Sequence, residues 1–204
     1  MRKQLRRADE RLRVALVTGA CSGIGRALAT RLGSLGYELI LVSNRAAELA
    51  ATAQEIGAAH AVVVHTIVSD LARPEAAEEL YQVVRDKGLQ IDILVSNAGF
   101  FFFGEAVDAS PERAKAMLQL HVVTPSLLCT CFGRDMRERG RGHILIVSSI
   151  SAWRDFPGIS YYGASKKYLR GFARALRSEM AVVARVVSVA PAARLFRATS
   201  TPLM

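Results

Sequence analysis

Residues 17–25 read VTGACSGIG, a glycine-rich stretch between two segments of different periodicity. It joins the short β-rich run RVALVT (13–18) to the run GIGRALATRLGSLG (23–36), in which apolar residues recur at helical spacing. A strand, a glycine-rich turn and a helix in direct succession predict the first strand–helix unit of a parallel sheet. The apolar residues at helical spacing are Ile24, Ala27, Leu28, Leu32 and Leu35.

The rest of the chain repeats this alternation of strands and helices. The further strand-like runs are nearly continuous Val, Ile and Leu, as expected where helices cover both faces of a sheet. The pattern predicts an α/β protein, a doubly wound parallel sheet (Rossmann fold) of six strands in a three-layer αβα arrangement. The remaining strands are expected at 37–43, 59–68, 91–96, 143–149 and 185–191, and the remaining helices at 46–57, 74–88, about 110–139 and about 160–180.

Composition and charge exclude several classes of protein. The 204 residues are 51% hydrophobic and 22% charged, which is typical of a globular domain. The net charge of +9 is concentrated at the ends, with +4 in residues 1–13 and +3 in residues 180–204, and no nucleic-acid-binding module is legible. We therefore predict a basic extension at 1–12, a single domain at 13–204, and no nucleic-acid partner.

The sequence carries no signal that we read as membrane insertion or secretion. Charged residues or glycine interrupt the apolar runs, and the basic opening segment has no apolar stretch behind it. Three cysteines without framework spacing predict free thiols, and no His or Cys cluster completes a metal site around Cys129 and Cys131. A cytoplasmic protein with no membrane partner and no metal is expected.

The glycine-rich turn predicts a dinucleotide site. Glycines after the first strand let the backbone turn sharply and approach a pyrophosphate, which then lies on the N-terminus of the following helix. A tight strand–helix turn without a ligand is the alternative. The residues expected to contact the cofactor here are Gly19, Cys21, Ser22, Gly23, Ile24 and Gly25.

The end of the second strand indicates which dinucleotide is bound. An acidic residue there suits the ribose 2′-hydroxyl of NAD(H), whereas arginine suits the 2′-phosphate of NADP(H). The sequence has Ser43, Asn44 and Arg45, with no carboxylate before Glu48. NADP(H) is therefore preferred over NAD(H), with Asn44 and Arg45 as the contacting residues. The alternative for Arg45 is a solvent-facing charge at the start of a helix.

Taken in order, the motifs resemble the short-chain dehydrogenase/reductase family in its classical form. The TGxxxGxG turn is followed by an Asp-Leu pair, an Asn-Ala-Gly triplet, a serine after the fifth strand and a YxxxK motif, across about residues 12–192. The resemblance implies an oxidoreductase and extends the expected cofactor site. The added residues are Asp70, Leu71, Asn97, Ala98, Gly99 and Pro191.

The segment YYGASKK near residue 161 contains the YxxxK motif. Tyr162 and Lys166 are four residues apart, so a helix places them on one face, where the cation favours the phenolate. By resemblance, Ser149 holds the substrate oxygen, Tyr162 is the acid or base, and Lys166 also binds the nicotinamide ribose. Hydride then moves between the nicotinamide and a carbonyl or secondary alcohol. Tyr161 is interpreted as a packing residue.

The chain departs from the family at two places. The family commonly carries an asparagine where His121 stands, supporting a water that links the lysine to solvent. His121 could carry the same relay, disrupt it, or be a helix histidine bonded to a local carbonyl. Pro191-Ala192 replaces the usual Pro-Gly, and about 13 residues follow. The family's last helix and seventh strand are therefore expected to be missing.

Three consequences are expected from the short C-terminal segment. One wall of the substrate pocket would be open or completed by a partner chain. The family's dimer contact through its last helix and strand would be absent, whereas a homodimer could form through the helices at 110–139 and 160–180.

A cofactor-binding protein without turnover, such as a sensor or partner subunit, is the alternative function, and a truncated chain that folds poorly is a third possibility.

Aromatic residues near the site predict an apolar substrate. The loop after the fourth strand begins with four phenylalanines, Phe100–Phe103, and the loop after the fifth contains Trp153 and Phe156. The alternative is that part of the phenylalanine run belongs to the core. The sequence indicates a small-molecule carbonyl or alcohol but does not name it.

Overall fold

Six parallel strands form the central sheet in the computed structural model, which describes residues 13–190 of the chain. Neighbouring strands follow the order β3-β2-β1-β4-β5-β6, so the strand order reverses between β1 and β4. The predicted doubly wound parallel sheet is confirmed. The strands are β1 (Val14–Thr18), β2 (Glu38–Ser43), β3 (Val64–Val68), β4 (Ile91–Ser96), β5 (His143–Val147) and β6 (Arg185–Val189).

Helices cover both faces of this sheet, as the buried strand sequences require. A π-helical segment, Gln119–Val123, joins α4 to α5, so that residues Pro111–Arg139 form one continuous helix. Single 3₁₀ turns lie at Ala106–Asp108 and Ile150–Ala152. The helices are α1 (Gly23–Ser34), α2 (Ala46–His60), α3 (Ala76–Asp86), α4 (Pro111–Leu118), α5 (Thr124–Arg139) and α6 (Ser160–Glu179).

Alternate residues of the strands enter two separate hydrophobic clusters, one on each face of the sheet. Leu16 of β1 belongs to the cluster that contains Phe132 of α5 and Leu169 of α6. Its neighbour Val17 belongs to the cluster that contains Leu49 of α2. Because successive strand side chains point to opposite faces, a continuous apolar strand supplies both layers at once.

The buried face of α1 differs from its apolar spacing. Its buried residues are Gly25, Ala29 and Gly33, whereas Ala27 and Leu35 are exposed. A Cβ atom at Gly25 would lie 2.1 Å from the carbonyl oxygen of Gly19, and one at Gly33 would lie 2.8 Å from Cγ2 of Ile56. The backbone of the helix therefore approaches its neighbours closely at these two glycines, while Leu28 and Leu32 of the predicted apolar set pack against the cluster that contains Ile56 and are partly buried.

The boundary between α2 and β3 also differs from the prediction. The strand was expected over 59–68, but α2 continues to His60 and β3 begins only at Val64. Ala58 and Ala59 are strong helix formers and extend the helix. Ala61 then adopts a left-handed conformation with φ of 52°, which ends it.

The long helix Pro111–Arg139 is long and apolar enough to cross a membrane by length and composition, which is weak evidence for a span. This differs from the expectation that charge or glycine interrupts every apolar run. Its inner face packs against the sheet through Met117, Leu128 and Phe132, as the core helix of a globular domain does. The cytoplasmic location remains a prediction.

The three cysteines are free thiols, as predicted. Cys129 on α5 is fully buried, and burial raises the pKa of its thiol to about 12. Cys131 is only half-buried. The predicted basic extension at 1–12 and the turn at Pro191 lie outside the described residues.

Candidate active site

A cleft of about 490 Å³ lies at the carboxyl ends of the strands, at the reversal of strand order between β1 and β4. Parallel α/β sheets bind ligands in this position. Segments that follow β1 to β5 line the cleft, together with the π-helical segment and the start of α6. Nearly all of the site residues expected from the sequence lie around it: Gly19, Cys21, Ser22, Gly23, Ile24, Asn44, Arg45, Asp70, Leu71, Asn97, Ala98, Gly99, His121, Ser149, Tyr162 and Lys166.

Among the expected residues that the structure describes, Gly25 does not line the cleft. Gly25 lies behind the glycine-rich turn, where the absence of a side chain lets α1 approach Gly19. Pro191 lies outside the described residues. Gly25 therefore supports the turn through its small size, and any contact of Pro191 stays a prediction.

Hydrogen bonds between Thr18 and residues 97–98 join the ends of β1 and β4. The Thr18 hydroxyl accepts from the backbone N–H of Asn97 (2.9 Å) and of Ala98 (3.0 Å). The Asn97 side-chain amide in turn donates to the carbonyl oxygen of Thr18 (2.9 Å) and of Gly19 (3.2 Å). These bonds fix the floor of the cleft at the reversal of strand order.

The glycine-rich turn has the geometry of an anion site. Gly19 has a φ of 65° and donates its N–H to the carbonyl oxygen of Val42 (2.8 Å), which bends the chain sharply after β1. Helix α1 begins at Gly23, and within residues 13–190 the Ser22 side chain makes no capping hydrogen bond to it. The first N–H groups of α1 are thus left for another acceptor, and Gly23 and Ile24 line the cleft.

Arg45 reaches from the end of β2 across to the glycine-rich turn. Its Nη2 donates to the Ser22 hydroxyl (2.7 Å) and to Cys21 Sγ (3.0 Å), and its Nη1 forms an ion pair with Glu48 (2.6 Å). Its side chain is about half exposed, so a ligand can reach the guanidinium. Arg45 therefore does not face solvent alone, as the alternative supposed, because it also contacts the glycine-rich turn at which a cofactor is expected.

Tyr162 and Lys166 lie one turn apart on α6, and both face the cleft. Lys166 is 4% exposed, its Nζ donates to the carbonyl oxygen of Val147 (3.3 Å), and it lies 5.6 Å from the centre of the Tyr162 ring. Burial lowers the pKa of the Lys166 ammonium to about 8. Most molecules still carry the cation at neutral pH, beside the tyrosine.

The two serines that follow β5 have different hydrogen-bond partners. Ser148 donates its hydroxyl to the carbonyl oxygen of Lys166 (2.9 Å) and its N–H to that of Val189 (2.8 Å), which ties α6 and β6 to β5. The Ser149 hydroxyl accepts from the Ser151 N–H (3.2 Å) and lines the cleft. The proton of the Ser149 hydroxyl can therefore be donated to a ligand.

His121 is 1% exposed, and protein groups contact both of its ring nitrogens. Its Nε2 accepts from the N–H of Phe100 (3.1 Å), and its Nδ1 lies 3.1 Å from the hydroxyl of Ser165. Burial, together with the nearby Lys166 cation, lowers the pKa of His121 to about 3. The partner of Nε2 is a backbone N–H, which differs from the expected alternative of a bond to a local carbonyl.

Two of the four phenylalanines after β4, Phe100 and Phe101, line the cleft, and none of the four belongs to either hydrophobic cluster. None of Phe100–Phe103 is fully buried, and Phe101 is 50% and Phe103 75% exposed. Phe101 packs edge-on against the Tyr162 ring, with centroids 5.1 Å apart. The alternative that part of this run belongs to the core is wrong, because the chain leaves the sheet after Ser96 and runs along the cleft.

Sequence reasoning missed residues whose role depends on partners far along the chain. Thr18 was noted only as part of a motif, although its hydroxyl bonds two backbone N–H groups of the β4 loop. Ser148 and Ser165 were not singled out. The serine doublet after β5 was the one available signal for Ser148, and no local pattern connects Ser165 with His121.

The arrangement fits a dinucleotide. Three features suit a pyrophosphate and an adenosine ribose. They are the turn around Gly25, which has no room for a Cβ atom, the helix N-terminus without a side-chain cap, and the arginine at the end of the second strand. A family model for the short chain dehydrogenases matches residues 13–199. The chain belongs to the short-chain dehydrogenase family.

Two relatives illustrate the range of this family. An uncharacterized oxidoreductase of Staphylococcus saprophyticus is 31% identical over 180 residues, which cover 88% of this chain and 77% of that protein. The inactive hydroxysteroid dehydrogenase-like protein 1 of Pongo abelii is 34% identical over 173 residues, which cover 83% of this chain and 52% of that protein. The chain spans 51% to 61% of the length of several vertebrate relatives.

Solved structures of short-chain dehydrogenases share the fold closely. The bulky-bulky ketone specific alcohol dehydrogenase from Comamonas testosteroni has a TM-score of 0.85 at 26% identity, covering 92% of this chain and 75% of that one. A short-chain dehydrogenase from Sphingobium yanoikuyae in complex with NADPH has a TM-score of 0.84 at 29% identity, covering 89% and 71%. The family assignment establishes an oxidoreductase fold and leaves substrate and cofactor choice to the site itself.

Burial of the Lys166 cation should lower the free energy of unfolding of the protein. We expect Lys166→Met to raise the free energy of unfolding at pH 7 by about 1–3 kcal/mol, since each unit of pKa shift corresponds to about 1.4 kcal/mol. Lys166 releases its proton near pH 8 when folded and near 10.5 when unfolded, so the unfolded chain binds more protons in between. The gain should therefore be full below pH 8 and shrink as the pH rises toward 10.5.

Urea unfolding of both proteins at pH 7 and pH 9.5 measures this gain. Lys167→Met is the matched control, because its ammonium is exposed and pairs with Asp155. A gain at pH 7 that does not shrink at pH 9.5 would show that the lysine charge is not its cause.

Proposed function

We propose that this oxidoreductase uses NADP(H) and transfers a hydride between the nicotinamide and a carbonyl or secondary alcohol, with Tyr162 as acid or base. One observation supports this most strongly. Tyr162, Lys166 and Ser149 line the same cleft as the glycine-rich turn and Arg45. A group that handles a proton and a site that fits a dinucleotide therefore face one another in a single cavity.

Each side chain has a distinct task in this proposal. The cofactor, held by the glycine-rich turn and Arg45, would supply a hydride for the carbonyl carbon in the direction of reduction. The Tyr162 hydroxyl gives its proton to the carbonyl oxygen, and the adjacent Lys166 cation stabilises the phenolate left behind. The Ser149 hydroxyl, which accepts from Ser151, donates its own proton in a hydrogen bond to the same oxygen and orients the substrate.

Replacing the tyrosine tests this assignment. We expect Tyr162→Phe to lower kcat by about 10²–10⁴-fold, the usual contribution of general acid–base catalysis. The affinity for NADPH, measured by fluorescence titration, should hardly change. Tyr161→Phe is the matched control, because it removes a hydroxyl from the adjacent residue and should leave turnover intact. Full turnover in Tyr162→Phe would contradict the proposed role.

The proposed preference for NADP(H) depends on Arg45. Its guanidinium lies at the glycine-rich turn, where a 2′-phosphate on the adenosine ribose would meet it, and Glu48 is the nearest acidic residue along α2. The Sphingobium yanoikuyae relative, crystallised with NADPH, supports the same choice. The Arg45–Glu48 ion pair leaves the Nη2 edge of the guanidinium as the side nearer the turn.

We expect Arg45→Ala to weaken binding of NADPH by about tenfold or more, the loss that follows from a charge-assisted hydrogen bond worth about 1.5–3 kcal/mol. Binding of NADH should change little, because it has no 2′-phosphate. Arg26→Ala on α1 serves as the control, since Arg26 is also half exposed and pairs with Glu55 on α2. An equal loss for both dinucleotides would assign Arg45 to the general shape of the site.

The proposed substrate is an apolar carbonyl compound or the matching alcohol. Phe100 and Phe101 line the cleft, and Phe101 stands next to Tyr162, so the substrate end of the cavity is aromatic. Beyond it, Phe103 packs over Gly158, and Trp153 and Phe156 are partly exposed. The bulky ketone specificity of the Comamonas testosteroni relative supports the same substrate class.

A cofactor-binding protein without turnover is the second candidate. It is favoured by His121, which replaces the family's usual asparagine, and by the similarity to a relative named as inactive. Such a protein would bind NADPH but would not oxidise it with any carbonyl, and Tyr162→Phe would have no effect. The turnover assay above therefore separates the two candidates.

We also propose a homodimer through the long helix and α6. Leu118 and Val123 on the long helix and Tyr168 on α6 are large, partly exposed side chains on these elements, and Tyr168 bonds Ser126 (3.0 Å). We expect light scattering after size exclusion to give twice the mass of one chain at micromolar concentration. Val123→Glu should give a monomer, because a buried charge is costly at an interface.

Leu35→Glu is the control for the dimer, since Leu35 is also apolar and exposed but lies after α1, away from these helices. A monomer in the unmodified protein would refute the proposal, and so would an equal effect of the two substitutions.

A further inference from the structure

His121 stands at the centre of a continuous chain of hydrogen bonds that joins the cleft wall to the tyrosine helix. The N–H of Phe100 donates to Nε2 (3.1 Å), so Nε2 carries a lone pair. In a neutral imidazole Nδ1 then carries the proton, and it donates to the Ser165 hydroxyl (3.1 Å). Ser165 donates onward to the carbonyl oxygen of Tyr162 (2.7 Å), where the chain ends.

Backbone and aromatic side chains also enclose the imidazole ring of His121. A Cβ atom on Gly99 would lie 2.7 Å from Nε2, so the backbone passes close to this end of the ring. The ring also packs against Phe100 at 5.8 Å and edge-on against Tyr162 at 5.7 Å between centroids. The π-helical segment Gln119–Val123 presents His121 at this point, as such local widenings of a helix often do at functional sites.

We propose that His121 is a positioning residue that fixes the main chain at Phe100 through Nε2 and so holds the aromatic wall against Tyr162. Phe101 follows directly and packs edge-on against the Tyr162 ring, so the bond to Phe100 sets the distance between the wall and the reacting hydroxyl. This role presupposes the oxidoreductase proposed above, and it sets how a bulky carbonyl compound fits beside Tyr162.

The same contacts argue against a proton relay through His121. A relay must accept a proton on one side and release it on the other. The single ring proton is donated to Ser165, and the serine proton ends on a backbone carbonyl, which has no proton to pass on. Lys166 and Tyr162 are the titratable groups that face the ring, and the lysine cation disfavours a second proton there.

Two amide substitutions separate these roles atom by atom. The amide of His121→Gln ends at the ε position and can accept from the Phe100 N–H as Nε2 does. The amide of His121→Asn ends at the δ position, where it can reach Ser165 but leaves the Phe100 N–H without its acceptor. Asparagine is also the residue that the family commonly has at this position, so a conserved relay would favour it.

For a bulky aromatic ketone with NADPH, we expect His121→Gln to stay close to the unmodified protein. His121→Asn should lose about tenfold in kcat/KM, chiefly through KM, because the wall contacts the substrate equally in the ground and transition states. The affinity for NADPH should be unchanged in both variants. An asparagine variant that matches or exceeds the glutamine variant in kcat/KM would overturn the proposal.

A measurement without turnover tests the same bonds. Nitrogen-15 NMR of the imidazole rings, with the His121 signal assigned from the spectrum of His121→Gln, should show a protonated Nδ1 and a bare Nε2 from pH 5 to 9. A protonated Nε2, or a ring that titrates in this range, would overturn the positioning role even in a protein that reduces no ketone. If the unmodified protein reduces no carbonyl while this tautomer is found, the proposed function fails and the bonding of His121 stands.

Discussion

The hydrogen bonds of Thr18 at the reversal of strand order are the constraint on which the rest of the site depends. One hydroxyl accepts two backbone N–H groups from the segment after β4, and the Asn97 amide returns two bonds to the turn after β1. The glycine-rich turn and the segment that carries Gly99 and Phe100 are thereby fixed relative to each other. The cofactor end of the cleft and the Gly99–Phe100 segment beside the tyrosine are placed from this junction.

A second constraint is the position of a cation inside the protein. Lys166 must be next to Tyr162 to act on it, and this position lies among buried groups where a charge is poorly solvated. The hydrogen bond to the carbonyl oxygen of Val147 and the polar residues at the end of β5 replace only part of the solvation that the ammonium has in water. The site is therefore a region where local stability is lower than packing alone would allow, as is common where chemistry requires a strained or charged arrangement.

The sequence predicted the fold well because strand alternation and motif order are local properties. Six strands and their order of appearance follow from spacing along the chain, and many of the residues around the cleft follow from the resemblance of the ordered motifs to the family. The contact face of α1 did not follow, because Gly25 and Gly33 are chosen by the closeness of Gly19 and Ile56 and not by periodicity. The partners of His121 lie 21 and 44 residues away, so only the packing of the loop and α6 shows them.

The close approach of Gly99 to His121 makes these two positions an epistatic pair. With the imidazole in place, a Cβ atom at residue 99 would lie 2.7 Å from Nε2, so even alanine there would require the ring or the backbone to shift. A shorter residue at 121 would leave room, and the restriction on residue 99 would relax. Which residues are tolerated at position 99 thus depends on the residue at position 121. If both positions change during evolution, the order of the two substitutions decides whether the protein with only one of them still folds.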